Sequence, residues 1–168
     1  MRLAAATTVL LSAALLAGCG GGGAESGGAV SATPAPRTLT AAERQVVLAS
    51  LPAPYNQADL ENGRRVFGSC RSCHTIAPDG PNGIGPHLYG VFGRRAGSLP
   101  DYQYSDAVRN AGFVWDEAHL ENWLENPRTF LPGTKMSFAG VRDPIRRRDL
   151  IAYLHVEGSP PPAQPAAR

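Results

Sequence analysis

The chain has 168 residues, a formal net charge of +2 and only 7% aromatic residues. That length suits one compact domain plus tails, and the near-neutral balance excludes a dedicated nucleic-acid binder. So few aromatics make a thin core for this length, and a large apolar cofactor would supply part of what is missing.

Residues 1–18, MRLAAATTVLLSAALLAG, have the form of a secretory signal. Arg2 gives the positive start, and the apolar run from Leu3 to Ala17 is too short for a spanning helix. The run closes in Leu16-Ala17-Gly18-Cys19, which resembles the bacterial lipobox and implies cleavage before Cys19 and lipidation of its thiol. The alternative is an ordinary signal cut at small residues, with Cys19 incidental. Residues 19–55 read as a tether rich in Gly, Ala and Pro, too polar and too small to offset the entropy of ordering. Within it, 39–50 has some helical character, with Thr40 and Glu43 at capping-box spacing, and is expected as a short helix on the tether or on the domain surface.

Residues 56–156 read as the folded domain. The first predicted helix covers 58–70, capped by Asp59 or Asn56. Its face carries Gly63 and Phe67 and runs on into Cys70 and Cys73. Residues 77–104 are rich in Gly and Pro and predict a long loop, the kind that wraps a ligand or carries function. A short helix is expected over 106–110 with Ser105 as cap. A clearer one spans 116–126, with Leu120, Trp123 and Leu124 at core spacing, and Pro127 ends or kinks it. RTFLPGTKMSFAG is expected to be loop. The last helix starts with Asp143 as N-cap and Pro144 at its first position. It turns Ile145, Leu150, Ile151, Tyr153 and Leu154 toward the domain, and its RRRD run at 146–149 reads as a solvated face. No strand alternation is visible, so the class is all-α. Residues 157–168 read as a disordered Pro-rich tail.

Cysteines number three, Cys19, Cys70 and Cys73, and an odd count argues for separate jobs rather than a disulfide framework. Cys70-Arg71-Ser72-Cys73-His74 fits the C-x-x-C-H pattern of covalent haem attachment. Each thiol adds across one vinyl group, two intervening residues bring both sulfurs to one haem edge, and His74 is then aimed at the iron. A redox dithiol would need a βαβ context, and a zinc site would need a second ligand pair. A Cys70–Cys73 disulfide would leave His74 unexplained. The ligand opposite His74 is expected to be Met136, the sole methionine once Met1 leaves with the signal. It stands in a Pro/Gly loop rather than at a helical core position, and a thioether favours Fe(II). His87, His119 and His155 are weaker candidates.

CRSCH, GIGPHLYGVFGRRAG, YQYSDA, LENWLENPRTFLPGTKMSFAG and DLIAYL together resemble class I cytochrome c across residues 63–154. The resemblance implies four to five helices wrapped around one covalently bound haem c. It implies thioether bonds from Cys70 and Cys73 and axial ligation by His74 and Met136. Pro86 would offer its carbonyl to the His74 imidazole. Arg94, Tyr104 and Trp115 would hold one buried propionate, and Thr134 would lie near the other. Gly63 and Phe67 would mark the crossing of the first and last helices. Two positions depart from the family pattern: Trp123 stands where a tyrosine hydroxyl is frequent near the methionine sulfur, and Val108 where an asparagine is frequent. Both remove polar groups, which implies a drier distal side and a potential that is still positive.

The surface departs too. Lys135 is the only lysine of the chain, and Arg94, Arg95, Arg128 and Arg142 are the candidates to join it in a cationic docking face. The function implied is a one-electron carrier, not an enzyme: monomeric, lipid-anchored and periplasmic, on the inner or the outer membrane. Its expected partners are a quinol–cytochrome c oxidoreductase and a terminal oxidase. A haem subunit of a larger redox complex is the alternative, and a haem peroxidase a more distant one, since it needs an open iron position.

Overall fold

The computed structural model describes residues 38–160. The signal, Cys19, the tether up to residue 37 and the tail from 161 lie outside the described residues. Within them the fold is all-α, as the sequence implied: six helices and a single 3₁₀ turn, with one isolated bridge pair, Arg95 and Val114, and no strand.

Helix α1 (Ala41–Ser50) opens with a complete capping box: the Thr40 hydroxyl accepts from the Glu43 N–H, and the Glu43 carboxylate accepts from the Thr40 N–H at 2.8 Å. Of the two places open to this helix, the tether or the domain surface, the structure shows the domain surface. Leu39, Leu48 and Leu51 are buried with Ala58, Ala152 and Val156, and Arg44 pairs with Glu157. Three leucines removed from water are each worth about 1.5–3 kcal/mol, so residues 39–51 pack as part of the folded unit together with those from Asn56 on.

Helix α2 (Leu60–Phe67) is capped by Asp59, whose side chain accepts from the Asn62 N–H. It stops three residues short of the expected end. Beyond it the chain runs on in turns, Cys70 N–H to Phe67 O at 2.8 Å and His74 N–H to Cys70 O at 2.9 Å, which fold the two thiols and the imidazole into one compact bend. Helix α3 (Asp106–Arg109) is capped by Ser105, and α4 (Glu117–Glu125) by Asp116. Helix α5 (Pro127–Phe130) adds a turn where loop was expected: Pro127 opens a helix as well as closing one, because Asn126 caps it from outside and needs no N–H at the first position.

Helix α6 (Pro144–Gly158) has the expected cap, with Asp143 accepting from Ile145 and Arg146 N–H groups at 2.8 and 3.1 Å. It continues to Gly158, past the expected limit at Val156, so Glu157 and Gly158 belong to the helix and not to the tail. Its crossing with α2 is close. A Cβ on Gly63 would lie 2.6 Å from Tyr153 Cβ and 2.9 Å from the Asp149 carbonyl carbon, so only glycine lets the helices meet there. Leu150 and Ile151, fully buried, lie in the same core as Val66, Phe67, Leu120, Trp123 and Leu124.

The RRRD run is only in part a solvated face: Arg146 is exposed, but Arg147 and Asp149 are buried. Asp149 is 1% exposed and accepts from Asp59 N–H, Asn62 Nδ2 and the Arg148 guanidinium, tying the start of α2 to α6. Arg147 is 6% exposed; its Nε meets Glu121 Oε1 at 2.7 Å and its Nη1 donates to the Val141 and Arg142 carbonyls. It thus pins the segment after α5 to both α4 and α6.

Candidate cofactor site

The helices enclose a cavity of about 360 Å³. All ten cofactor residues inferred from the sequence line it: Cys70, Cys73, His74, Pro86, Arg94, Tyr104, Trp115, Trp123, Thr134 and Met136. They come from the bend after α2, the 77–105 loop, the stretch before α4, α4 itself and the segment after α5. Cys19 lies outside the described residues.

Both Cys70 and Cys73 are free thiols, so the plain disulfide is not formed. Burial pushes the Cys70 thiol up from its ordinary pKa, holding it in the neutral S–H form that adds to an alkene. His74 Nδ1 lies 2.7 Å from the Pro86 carbonyl oxygen. A carbonyl only accepts, so Nδ1 carries the proton and Nε2 keeps its lone pair for a metal. Burial holds the imidazole below its usual pKa, with the bond to Pro86 opposing, so the neutral form prevails. Gly85 makes the space: a Cβ there would fall 2.7 Å from both ring nitrogens of His74.

The other walls differ in character. Arg94 donates to the His87 and Tyr89 carbonyls and bonds to Tyr104, and among the described residues no carboxylate pairs with it. Burial pulls its guanidinium below the ordinary value and pushes the Tyr104 phenol up. A half-buried cation with a phenol beside it, and no anion of its own, is built to receive one. Trp115 and Trp123, both 8% exposed, meet edge to face at 5.5 Å and close the interior. Val108, also 8% exposed, adds a further apolar wall. The Thr134 hydroxyl accepts from the Met136 N–H at 3.2 Å and fixes the backbone of the residue bearing the thioether.

This donor set fits one group: a flat apolar macrocycle with two alkene arms for the thiols, a metal for imidazole and thioether, and a carboxylate for Arg94. The sequence reading missed other parts of the lining. Ile84, 79% exposed, stands at the cavity, and Tyr102 donates to its carbonyl at 2.7 Å. Nothing local marks them, since each acts through a partner 18 residues away. Arg94 belongs to the cavity rather than to a surface ring of cations. Among the described residues, His87 and His155 each keep a buried Nδ1 without a hydrogen-bond partner.

An all-α shell around such a cavity defines a protein that holds a haem covalently. Comparison with known proteins agrees. The chain is 46% identical over 100 residues to cytochrome c2 of Rhodomicrobium vannielii, covering 60% of this chain and 80% of that protein. It is 40% identical over 105 residues to cytochrome c of Kluyveromyces lactis, 62% of this chain and 96% of that one. Over 118 residues it is 43% identical to a cytochrome c homolog of Rickettsia felis, 67% of each. No protein-family model matches the chain. The chain belongs to the cytochrome c family, and so is an electron-transfer protein rather than an enzyme, with one covalently bound haem c.

Proposed function

We propose that the protein is an exported, lipid-anchored one-electron carrier whose haem is bonded to Cys70 and Cys73 and ligated by His74 and Met136. When bound, the haem supplies an Fe(III)/Fe(II) couple. The observation that carries this reading is the convergence of those four residues on one cavity, with the His74 ring held by Pro86 so that its second nitrogen is free. The Pro86 carbonyl keeps His74 in one tautomer and one orientation. Arg94, Tyr104 and Trp115 would receive one propionate, and Thr134 would lie near the other. Trp123 and Val108 keep the Met136 side dry, which holds charge separation costly and the potential positive.

His74 and Met136 would both hold the metal and leave no place on it for a substrate, so the chain's work is to keep the site rigid and to exclude water. Among the described residues no helix is long and apolar enough to cross a membrane. Attachment falls to lipid on Cys19. That anchor, on the periplasmic side, raises the local concentration of carrier around membrane complexes. The proposed donor is a quinol–cytochrome c oxidoreductase and the acceptor a terminal oxidase. Membranes of the source cell, stripped of endogenous cytochrome, provide the test. Added quinol should reduce the purified protein, oxygen should reoxidise it through an inhibitor-sensitive oxidase, and Cys19→Ser should release it from the membrane. Reduction that is unaffected by blocking the quinol-oxidising complex rules out the assignment of partners.

A further inference from the structure

Helix α6 ends on a charge of the wrong sign. Glu157 stands in its last turn, where the carbonyl end of a helix already carries partial negative charge. The basic residue of that turn, His155, is held below its usual pKa by burial and supplies no cation at neutral pH. The offset comes from α1: the Arg44 guanidinium bonds to the Glu157 carboxylate, the two side chains being 33% and 22% exposed. Leu48 of α1, buried with Ala152 and Val156 of α6, carries Arg44 to that place. The turn so closed has a second task. The Gly158 carbonyl is among the last four that no helical N–H can reach, and it accepts from the Gly90 N–H at 2.5 Å. Gly158 is buried, with Ile76 and the Leu88 carbonyl oxygen 3.3 and 3.5 Å from where a Cβ would stand. Residues 87–90 in turn reach the cavity. The His87 and Tyr89 carbonyls both accept from the Arg94 guanidinium, and Leu88 between them lines the cavity, as Arg94 does.

We propose that Arg44 is a positioning residue for Arg94: it keeps the last turn of α6 wound, and through the Gly158–Gly90 bond that turn holds residues 87–90 where their carbonyls aim the guanidinium. No residue of α1 lines the cavity, so the effect reaches the site only through this series of contacts. Its consequence for the cofactor rests on the reading of Arg94 as the partner of a propionate. A cation fixed at the cavity wall favours the metal state with less positive charge. A guanidinium released from its two carbonyls is drawn out toward water and gives that up, so loosening the turn lowers the potential.

The test uses the haem-loaded full chain, with hydrogen exchange at the Gly90 amide followed by NMR and the midpoint potential measured by redox titration. Arg44→Met should speed exchange at Gly90 about fivefold, a loss of about 1 kcal/mol of protection, and should lower the midpoint potential. Arg44→Lys, which keeps the cation, should stay within about twofold of wild type in exchange. Adding Glu157→Gln to Arg44→Met removes the uncompensated carboxylate and should bring both readouts back toward wild type. A double variant as poor as Arg44→Met alone would show that packing, not charge, is what Arg44 supplies, and would overturn the proposal. So would wild-type exchange at Gly90 in Arg44→Met, or faster exchange there with an unmoved potential when Arg94→Met moves it. The Arg94 reading fails by a different sign: Arg94→Met would keep the wild-type potential, and exchange at Gly90 would still decide whether Arg44 holds the 87–90 turn.

Discussion

Gly85 packs its backbone against the His74 ring so closely that a Cβ would lie 2.7 Å from both imidazole nitrogens. One residue on, the Pro86 carbonyl accepts a hydrogen bond from the ring's Nδ1–H, with 2.7 Å between nitrogen and oxygen. Two successive residues of one loop thus set both the position and the tautomer of His74. Gly85→Ala should displace the ring and cost about 1–3 kcal/mol of stability, the range for overpacking a filled site. Chemical denaturation of the haem-loaded protein measures the cost, and a shifted Soret band should accompany it.

Gly63 makes the complementary case at the helix crossing. In an exposed helix, Gly→Ala would gain about 1 kcal/mol of propensity. Here the added carbon would press on Tyr153 Cβ at 2.6 Å and on the Asp149 backbone, and neither can move without separating α2 from α6. Gly63→Val should therefore destabilise by roughly 1–3 kcal/mol while leaving the visible spectrum unchanged. Thermal unfolding reads the first, absorbance the second.

Arg147 offers a test at the far side of α6. Its side chain meets Glu121 and two backbone carbonyls from a nearly sealed position. Arg147→Met removes the donors and leaves buried acceptors unpaired, at a cost of about 1–3 kcal/mol. Glu121→Gln keeps a partner at a site a third exposed and should cost clearly less. The ranking of the two denaturation midpoints checks this, and a reversed ranking would count against the assignment.

His155 predicts a pH dependence. Burial lowers its pKa, and Glu117, 3.4 Å from Nε2, only partly opposes; its other ring neighbour, Phe92 at 4.1 Å, carries no charge. The folded state then binds fewer protons than the unfolded one, so stability rises with pH. The contribution is complete above about 6.5, the free histidine value, and is lost as pH falls toward and through the lower folded value. Unfolding free energies between pH 4 and 8 should show that slope, and His155→Gln should flatten it.

What was legible in the sequence was mostly local. The Cys70–His74 motif and the caps at Asp59, Ser105 and Asp143 lie within a few residues of what they serve, and each is where the pattern placed it. The family resemblance named ten cavity residues, and all ten line the cavity. The docking of α1 was not legible, because Leu48 finds its partners Ala152 and Val156 about a hundred residues later. Nor was the burial of Arg147 and Asp149: a run of charges looks solvated until Glu121 and Asn62 arrive from other helices. Lys135 drew notice only as a surface charge, since its ring and carbonyl partners lie on a distant loop.

Mature protein from a host that attaches haem to such motifs decides the central point. Intact mass should exceed that of the polypeptide by one haem, the increment should survive acid denaturation, and it should vanish when Cys70 and Cys73 are both replaced by alanine. A colourless chain at the polypeptide mass, or a haem removed by acid extraction, would contradict the assignment of Cys70 and Cys73.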